Sequence, residues 1–533
     1  MKRFVIVTLL VFRGTFCVQE LFAQNLTVYN KPVFAFVLPN DNIEDKKPAE
    51  EIKIVAARGE YEPATFVVYS KETLQNVTVV CPDDLKSDGG GVFRKEDIDI
   101  SVVKVWKQYP PVSVIKPGQA EVMVPELLLK DDTAPISDAW IEKMYIPPSF
   151  PAKLNTEIQA GTSKQIWLTI KVPESTTQGL YHGSVDLLNN GVLIKRLSLS
   201  LEVLPFVLPK PNKIYLIYFR GRVARTGGAE YLPESIYLNQ LRDIREHGFN
   251  GVTIYEKDLK NAEEALRRIQ QIGLSGPVIQ MTAFMTKEII DLAPFVNLSD
   301  KFGHRPFFYG QDEPNRPEKM KIHILKSKAI RSARGKVVTA ITKDWNSQLN
   351  TQEPLDWVNF DLCADLVPRK ERDNQIQTYY WQTWAETPLL HRLYGGFFLW
   401  NSGYDGIFPY VYQAFASESP YQTDVRPPRN LKVFNTTYPS QDCPISTLQW
   451  EALREGIDDV RYLTLLDDLI DKARREGKRE IAERCQAQVK DILRPFRYYG
   501  REFGRSNSPP PESFMEARNN IVKLIIELRR HRN

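Results

Sequence analysis

The stretch Phe307-Phe308-Tyr309-Gly310-Gln311-Asp312-Glu313-Pro314 decides how the rest of the chain is read. An apolar run of strand length ends in two adjacent carboxylates and a proline. A strand of this composition is buried, so its end points at a pocket or a packed layer. Two carboxylates at such an end need an explanation, because burying one unpaired charge is expensive. Acid chemistry on a sugar is one, since glycoside hydrolysis uses a pair of carboxyl groups. The structural alternative is helix capping, with Asp312 starting a helix that runs from about Pro317 to Arg334.

The flanking rhythm bears on that choice. Leu208-Pro209-Lys210-Pro211 reads as a linker stiffened by its prolines. Beyond it, strand candidates at Ile214–Phe219, Val252–Tyr255, Val278–Thr282, Phe307–Gly310, Lys336–Ile341, Val358–Leu362 and Tyr379–Trp381 alternate with helical patterns at Pro233–His247, Asn261–Ile272, Lys287–Leu292 and Pro317–Arg334. Gly396–Trp400 is expected to close the series. This alternation predicts a (β/α)8 TIM-like barrel over residues 213–440. Catalytic groups in such barrels sit at the C-terminal ends of the strands. Asp312 and Glu313 stand at that end of the fourth predicted strand, which favours catalysis over capping.

Residues 24–208 read as an all-β domain. Ile52–Val55, Ala64–Tyr69, Val77–Val80, Ile100–Val105, Gln165–Val172 and Leu193–Val203 are strand candidates, separated by turn-formers such as Asn189-Asn190-Gly191. Their spacing predicts a β-sandwich. Pro173 to Gly183 resembles the edge hairpin of many bacterial sandwiches. Carbohydrate binding there competes with a purely structural scaffold. Residues 441–533 read as a helical region, with periodic segments at Trp450–Leu466, Lys478–Leu493 and Asn519–Arg529. The expected fold class is therefore multidomain, all-β plus α/β, with a helical C-terminal region.

At the N-terminus, Lys2 and Arg3 precede the apolar run Phe4–Phe12, and a cleavage point follows Ala23. Residues 1–23 read as a signal peptide, too short to span a membrane. A secreted, periplasmic or cell-envelope protein is expected. The net charge is only +4, from 70 basic and 66 acidic residues without a long basic run, so no nucleic-acid footprint is indicated. Cys81, Cys363, Cys443 and Cys485 form no close pair, and the six histidines lack metal-ligand spacing. No metal or cofactor is expected.

Four segments carry a resemblance to a known family. Gly59-Glu60-Tyr61-Glu62-Pro63-Ala64-Thr65-Phe66-Val67-Val68-Tyr69 is similar to the N-terminal sandwich signature of glycoside hydrolase family 123. Asp312-Glu313-Pro314 resembles that family's Asp-Glu pair. Arg392 through Gly406 is similar to its late-barrel segment. Pro444 through Asp459 resembles the domain that accompanies such barrels, although Gln449 stands where family members usually carry Arg. The resemblance implies an exo-acting β-N-acetylgalactosaminidase with substrate-assisted retention. In that chemistry the substrate's acetamido oxygen attacks the anomeric carbon and forms an oxazolinium ion. Glu313 is then the general acid and later base, and Asp312 orients and charge-stabilises the acetamido group.

The residue-level physics agrees with that assignment. A conventional retaining pair must flank the bond at roughly 5 Å from opposite sides of the sugar. Strand neighbours point to opposite faces and meet that demand poorly. Substrate assistance asks one group to address the glycosidic oxygen and the other the acetamide, which adjacent residues on a bent strand end can do. Pro314 keeps Glu313 out of helical geometry and favours the bend. A charged Asp312 next door is expected to raise the pKa of Glu313. Tyr309 beside the pair, and Trp381, Arg392, Trp400, Tyr404 and Asp405 from the late-barrel segments, are candidates for substrate binding. Tyr255, Glu256, Gln311 and Trp384 are weaker ones. The expected partner is a glycan with a terminal amino sugar. Two alternatives stay open: a glycosidase of other specificity on the same barrel, with Glu256 or Glu386 as second carboxylate, or a non-catalytic glycan-binding envelope protein.

Overall fold

The protein is described from a computed structural model covering residues 25–108, 122–141, 144–225, 230–282, 291–342, 355–362, 375–381, 388–414, 419–421, 434–500 and 508–530. The leader segment, Cys363, Trp384 and Glu386 lie outside the described residues. The chain forms two compact units. One is built from residues up to Gln108, Met123–Pro135 and Phe150–Leu208, the other from Tyr109–Val122, Ile136–Ser149 and Pro209 onward.

The first unit is a two-sheet sandwich. One sheet orders the strands Leu26–Asn30, Glu60–Ser70, Thr162–Val172, Ile98–Gln108 and Val122–Leu129. The other orders Thr156–Ile158, Leu74–Val80, Gly179–Asn189, Val192–Val207 and Glu51–Arg58. Alternating side chains of both sheets, among them Phe66, Val68, Ile166, Leu168, Val185, Leu197 and Leu199, fill the space between them. The expected edge hairpin is not at an edge. Gly179–Asn189 pairs with Leu74–Val80 on one side and Val192–Val207 on the other. Its Ser/Thr/Gly-rich approach looks exposed, but Tyr181, Val185 and Leu187 send the strand through the core.

In the second unit eight parallel strands close a barrel. They are β1 (Ile214–Ile217), β2 (Gly251–Ile254), β3 (Val278–Met281), β4 (Phe307–Tyr309), β5 (Lys336–Ile341), β6 (Trp357–Asp361), β7 (Ile376–Tyr380) and β8 (Gly406–Ile407). Helices α1 (Glu234–Glu246), α2 (Leu259–Ile272), α3 (Ala293–Lys301) and α4 (Pro317–Ser332) cross between the early strands. Every second strand residue points inward, so Leu216, Ile279, Met281, Phe307, Tyr309, Val338, Ala340 and Trp357 pack the interior. The run Gly396–Trp400 is not the closing strand. It lies in helix α6 (Phe397–Ser402), which follows α5 (Pro388–Gly395) and ends at Gly403 in the left-handed conformation. A short uniform apolar run carries no period, so helix and strand are indistinguishable there. The barrel closes instead through the two residues of β8.

Three C-terminal helices complete this unit: α7 (Leu448–Arg475), α8 (Arg479–Leu493) and α9 (Pro511–Arg530). They pack on the late-barrel helices. A Cβ on Gly396 would lie 2.9 Å from the Gly456 Cα, so the two glycines let α7 press against the α5–α6 corner. Arg392 of α5 pairs there with Asp459 and Glu455 of α7, and Arg518 of α9 pairs with the same two carboxylates. Among the described residues no helix is long and apolar enough to cross a membrane.

Candidate active site

Beyond Tyr309, β4 passes through Gly310 into the carboxylate pair. A Cβ on Gly310 would fall 2.9 Å from Thr339 Oγ1 and 3.0 Å from His323 Nδ1, so the strand of β5 and helix α4 leave room only for backbone. Thr282 donates its hydroxyl proton to the Tyr309 carbonyl, tying β3 to the same corner. The Gln311 N–H faces His323 Nδ1 at 3.5 Å. Glu313 follows with φ at +40°, a left-handed conformation that L-residues other than Gly, Asn and Asp seldom adopt. The chain bends sharply at Glu313, and the Asn315 N–H closes the turn on the Glu313 carbonyl at 2.7 Å. Helix α4 begins only at Pro317, with Arg316 at its N-cap. Asp312 therefore does not cap it, and the structural alternative for this residue falls.

The pair opens into a cavity of about 520 Å³ above the strand ends. Its wall is formed by Tyr218, Arg220, Tyr255, Met281, Tyr309, Gln311, Lys326, Tyr380, Tyr410 and Phe434, beside Asp312 and Glu313 themselves. Separate phenols hold the two carboxylates. Tyr309 donates to Asp312 Oδ1 at 2.7 Å, while Tyr218 donates to the Tyr309 oxygen at 2.9 Å. Tyr380 donates to Glu313 Oε1 at 2.6 Å. Tyr309 ends β4 and Tyr380 ends β7, three strands further round the barrel. The bend at Glu313 thus sends two sequence neighbours to different partners.

Cations complete the site. The Lys319 ammonium lies 3.3 Å from the carbonyls of both Asp312 and Glu313. Arg220 donates through Nε to Glu230 at 3.0 Å and through Nη1 to the Tyr410 hydroxyl at 3.2 Å, with its plane 5.6 Å from the centre of the Tyr255 ring. Asp312 is open to the cavity, yet protein surrounds it closely enough that desolvation raises its carboxyl pKa. The Tyr309 hydrogen bond opposes that rise, the Glu313 charge adds to it, and Lys319 and Lys326 oppose it.

Of the sequence candidates for substrate binding, Tyr309 is in the wall, with Tyr255 and Gln311. The structure brings none of the other five there. Trp381 is buried and gives its indole proton to His391 Nδ1 of α5 at 2.8 Å. Arg392 is committed to the buried ion pairs described above. Trp400 is half-buried on α6. Tyr404 packs against Phe360 and Tyr379. Asp405 accepts the Gln377 N–H at 2.8 Å. The last three stand just before β8, at the foot of the barrel, because the segment that carries them precedes its strand instead of following it. Glu256 is buried and accepts the Val223 N–H at 2.6 Å, so its carboxylate fastens a loop instead of serving as a second acid. Tyr218, Arg220, Lys326, Tyr380, Tyr410 and Phe434 were missed. Except for Phe434, their common signal is a position at or just past a strand end, or on the helix face behind it. Among the described residues no group of three or more His, Cys, Asp or Glu side chains is placed to hold a metal ion.

Residues 39–189 match the family model of the glycoside hydrolase 123 N-terminal domain. No curated protein matches the chain in sequence. Among solved structures, the chain is similar to a family 123 glycoside hydrolase from Clostridium perfringens, described for glycolipid glycan hydrolysis. The two are 14% identical with a TM-score of 0.65, over 95% of this chain and 99% of that one. A type I 3-dehydroquinate dehydratase from Clostridium difficile overlaps 38% of this chain and 86% of its own at 8% identity, with a TM-score of only 0.25. The sandwich carries the family's N-terminal signature, and sandwich, barrel and helices together follow the fold of the Clostridium perfringens enzyme. The chain thus has an N-terminal domain that matches the family 123 model and a fold similar to that of a family 123 enzyme.

Proposed function

We propose that this protein is a secreted exo-β-N-acetylgalactosaminidase that works by substrate-assisted retention at Asp312 and Glu313. The observation that carries the reading is the division of the pair between Tyr309 and Tyr380. Each phenol occupies one oxygen of its carboxyl group, at Asp312 Oδ1 and Glu313 Oε1. Asp312 Oδ2 is left to accept the acetamide N–H, and Glu313 Oε2 to carry the transferable proton. In the first step the acetamide oxygen forms a bond to the anomeric carbon as the glycosidic C–O bond breaks. Glu313 gives its proton to the departing oxygen. Positive charge spreads onto the oxazolinium nitrogen, against Asp312. In the second step Glu313 takes a proton from water as the water oxygen bonds to the same carbon and the bond from that carbon to the acetamide oxygen breaks, which regenerates the acetamide and restores the sugar with its original configuration. The tyrosine-rich wall supplies apolar faces with polar tips, a surface suited to a sugar ring.

The test is hydrolysis of an aryl β-GalNAc glycoside beside aryl β-GlcNAc and aryl β-galactoside, by wild type and Asp312→Ala. Cleavage confined to β-GalNAc and lost in the variant supports the reading. Preference for the plain galactoside removes the acetamido mechanism. Absence of turnover on all three, with retained glycan binding, makes the protein a binder.

A further inference from the structure

Helix α4 presents Lys319, His323 and Lys326 to the carboxylate corner from one face, at spacing i, i+4, i+7. The first two are engaged there, Lys319 on the carbonyls of Asp312 and Glu313 and His323 opposite the Gln311 N–H. Lys326 differs. Its side chain is 6% exposed and lines the cavity, yet among the described residues its ammonium has no hydrogen-bond acceptor and no carboxylate within ion-pair reach. The stem of the side chain is buried while the ammonium keeps access to the cavity, so its charge is turned toward whatever occupies that space. The carboxylate that acts on it is Asp312, which also lines the cavity, each group favouring the charged form of the other.

We propose that Lys326 is a positioning residue for the reaction above: its ammonium is a fixed counter-charge that keeps Asp312 an anion until the acetamide arrives. The proposal rests on the reading of Asp312 as the group that meets the acetamide. The charged and titratable groups around Asp312 assign this task to Lys326. Glu313 is a like charge and works against it. Tyr309 donates one hydrogen bond, and Tyr218 and Tyr255 are phenols just past β1 and β2. Arg220 is tied to Glu230. Lys319 also favours the Asp312 anion, and more strongly than Lys326, but its ammonium lies on the main-chain oxygens of Asp312 and Glu313. His323 is held neutral, its pKa brought down to about 4 by burial and by Lys326 itself. Among the described residues, Lys326 is the cation that lines the cavity with its donors free. The developing oxazolinium must be matched by a full negative charge on Asp312; a protonated Asp312 offers none.

The experiment is the pH dependence of kcat/KM on an activated aryl β-GalNAc glycoside for wild type, Lys326→Met and Lys326→Arg. It is paired with a carbon-detected NMR titration of carboxyl-labelled aspartate, in which Asp312→Asn identifies the Asp312 signal. Lys326→Met is expected to move the acid limb and the Asp312 titration upward together by at least about half a pH unit. Its loss of rate is then largest in acid and recovers toward alkaline pH, and Lys326→Arg restores the wild-type limb. Lys326→Gln is the second neutral variant, used if Lys326→Met does not fold. An equal loss at every pH with an unmoved limb overturns the proposal, as does an Asp312 titration that ignores the substitution. If the wild type turns over no amino-sugar glycoside, the proposed function fails, and the NMR titration alone still decides whether Lys326 is the counter-charge.

Discussion

The hydroxyl of Tyr309 lies 2.7 Å from Asp312 Oδ1, and the same phenol oxygen accepts from the Tyr218 hydroxyl at 2.9 Å and from the Ala340 N–H at 3.2 Å. A phenol oxygen with two donors aimed at it can give its own proton in one direction only. Three strands of the barrel floor therefore commit Tyr309 to Asp312.

Tyr309→Phe should accordingly do two things. It removes a hydrogen bond to a charged acceptor, worth about 1.5–3 kcal/mol, so kcat/KM should fall about 10- to 100-fold. It also removes the interaction that most opposes the raised Asp312 pKa, so the acid limb of the pH profile should move upward. Tyr218 and Ala340 lose their acceptor in the same step, and a lower Tm should accompany the change. A variant with reduced rate and an unmoved acid limb would show that Tyr309 does not act through Asp312.

Glu313→Gln keeps the shape of the side chain and removes the transferable proton. The loss should be largest for substrates with poor leaving groups and smaller for activated aryl glycosides, whose oxygens depart without protonation. Kinetics on a series of aryl β-GalNAc glycosides of graded leaving-group pKa would check this. An equal loss across the series would argue against the acid role.

The carboxylate corner was legible from sequence because an apolar strand ending in two acids is an unusual local event, and the barrel rhythm around it set which end of the strand matters. The remaining wall was not. Tyr218 and Tyr380 stand in strands that carry neighbouring aromatics, Tyr215 and Phe219 in one case and Tyr379 in the other. Which ring faces the cavity depends on the parity with which the barrel closes, and a single strand does not carry that information. Trp400, Tyr404 and Asp405 misled for a related reason. With β8 reduced to Gly406–Ile407, the aromatic run before it reads as a strand with a loop after it, whereas it is a helix and the turn at the barrel foot. Lys326 was hidden differently, as one lysine among several on an apparently solvent-facing helix.

Arg392 illustrates how a residue within the family-like segment acts through packing. Its guanidinium donates to both oxygens of Asp459, at 2.9 and 3.0 Å, and Arg518 donates to the same carboxylate at 2.7 Å, all of them buried. Arg392→Met leaves Asp459 and Glu455 with one guanidinium where they had two. Breaking a buried pair from one side costs about 3–5 kcal/mol, because the remaining charge stays desolvated. Thermal or urea denaturation should show a large loss of stability. KM for an aryl glycoside, measured on the folded fraction, should stay near wild type. A raised KM with unchanged Tm would instead return Arg392 to the binding site.

His247 gives the second unit a pH dependence of its own. The imidazole is buried at the end of α1, with Nδ1 3.2 Å from Asp243 Oδ1, Nε2 3.3 Å from Glu451 Oε1, and its ring stacked 4.6 Å from the Trp450 ring. Burial alone would lower its pKa. Asp243 and Glu451 outweigh that and push it up to about 9. A pKa raised on folding means that the native state holds the proton more tightly than the unfolded chain. The resulting stability is fully present below the unfolded value near 6.5 and is lost as the pH rises through about 9. For a shift of this size the contribution is on the order of 3 kcal/mol. Glu451 works at the opposite end. Burial opposes its charge, but Arg454 and His247 bring its pKa down to about 2, so its contribution holds above the ordinary carboxylate range and is lost as the pH falls through about 2. Thermal melts of the wild type should therefore be highest between about pH 5 and 7 and decline toward pH 10. His247→Gln should lower the Tm at pH 6 and flatten the alkaline decline, since the group that releases its proton there is gone. A variant as steep as wild type between pH 7 and 10 would assign that decline to other groups.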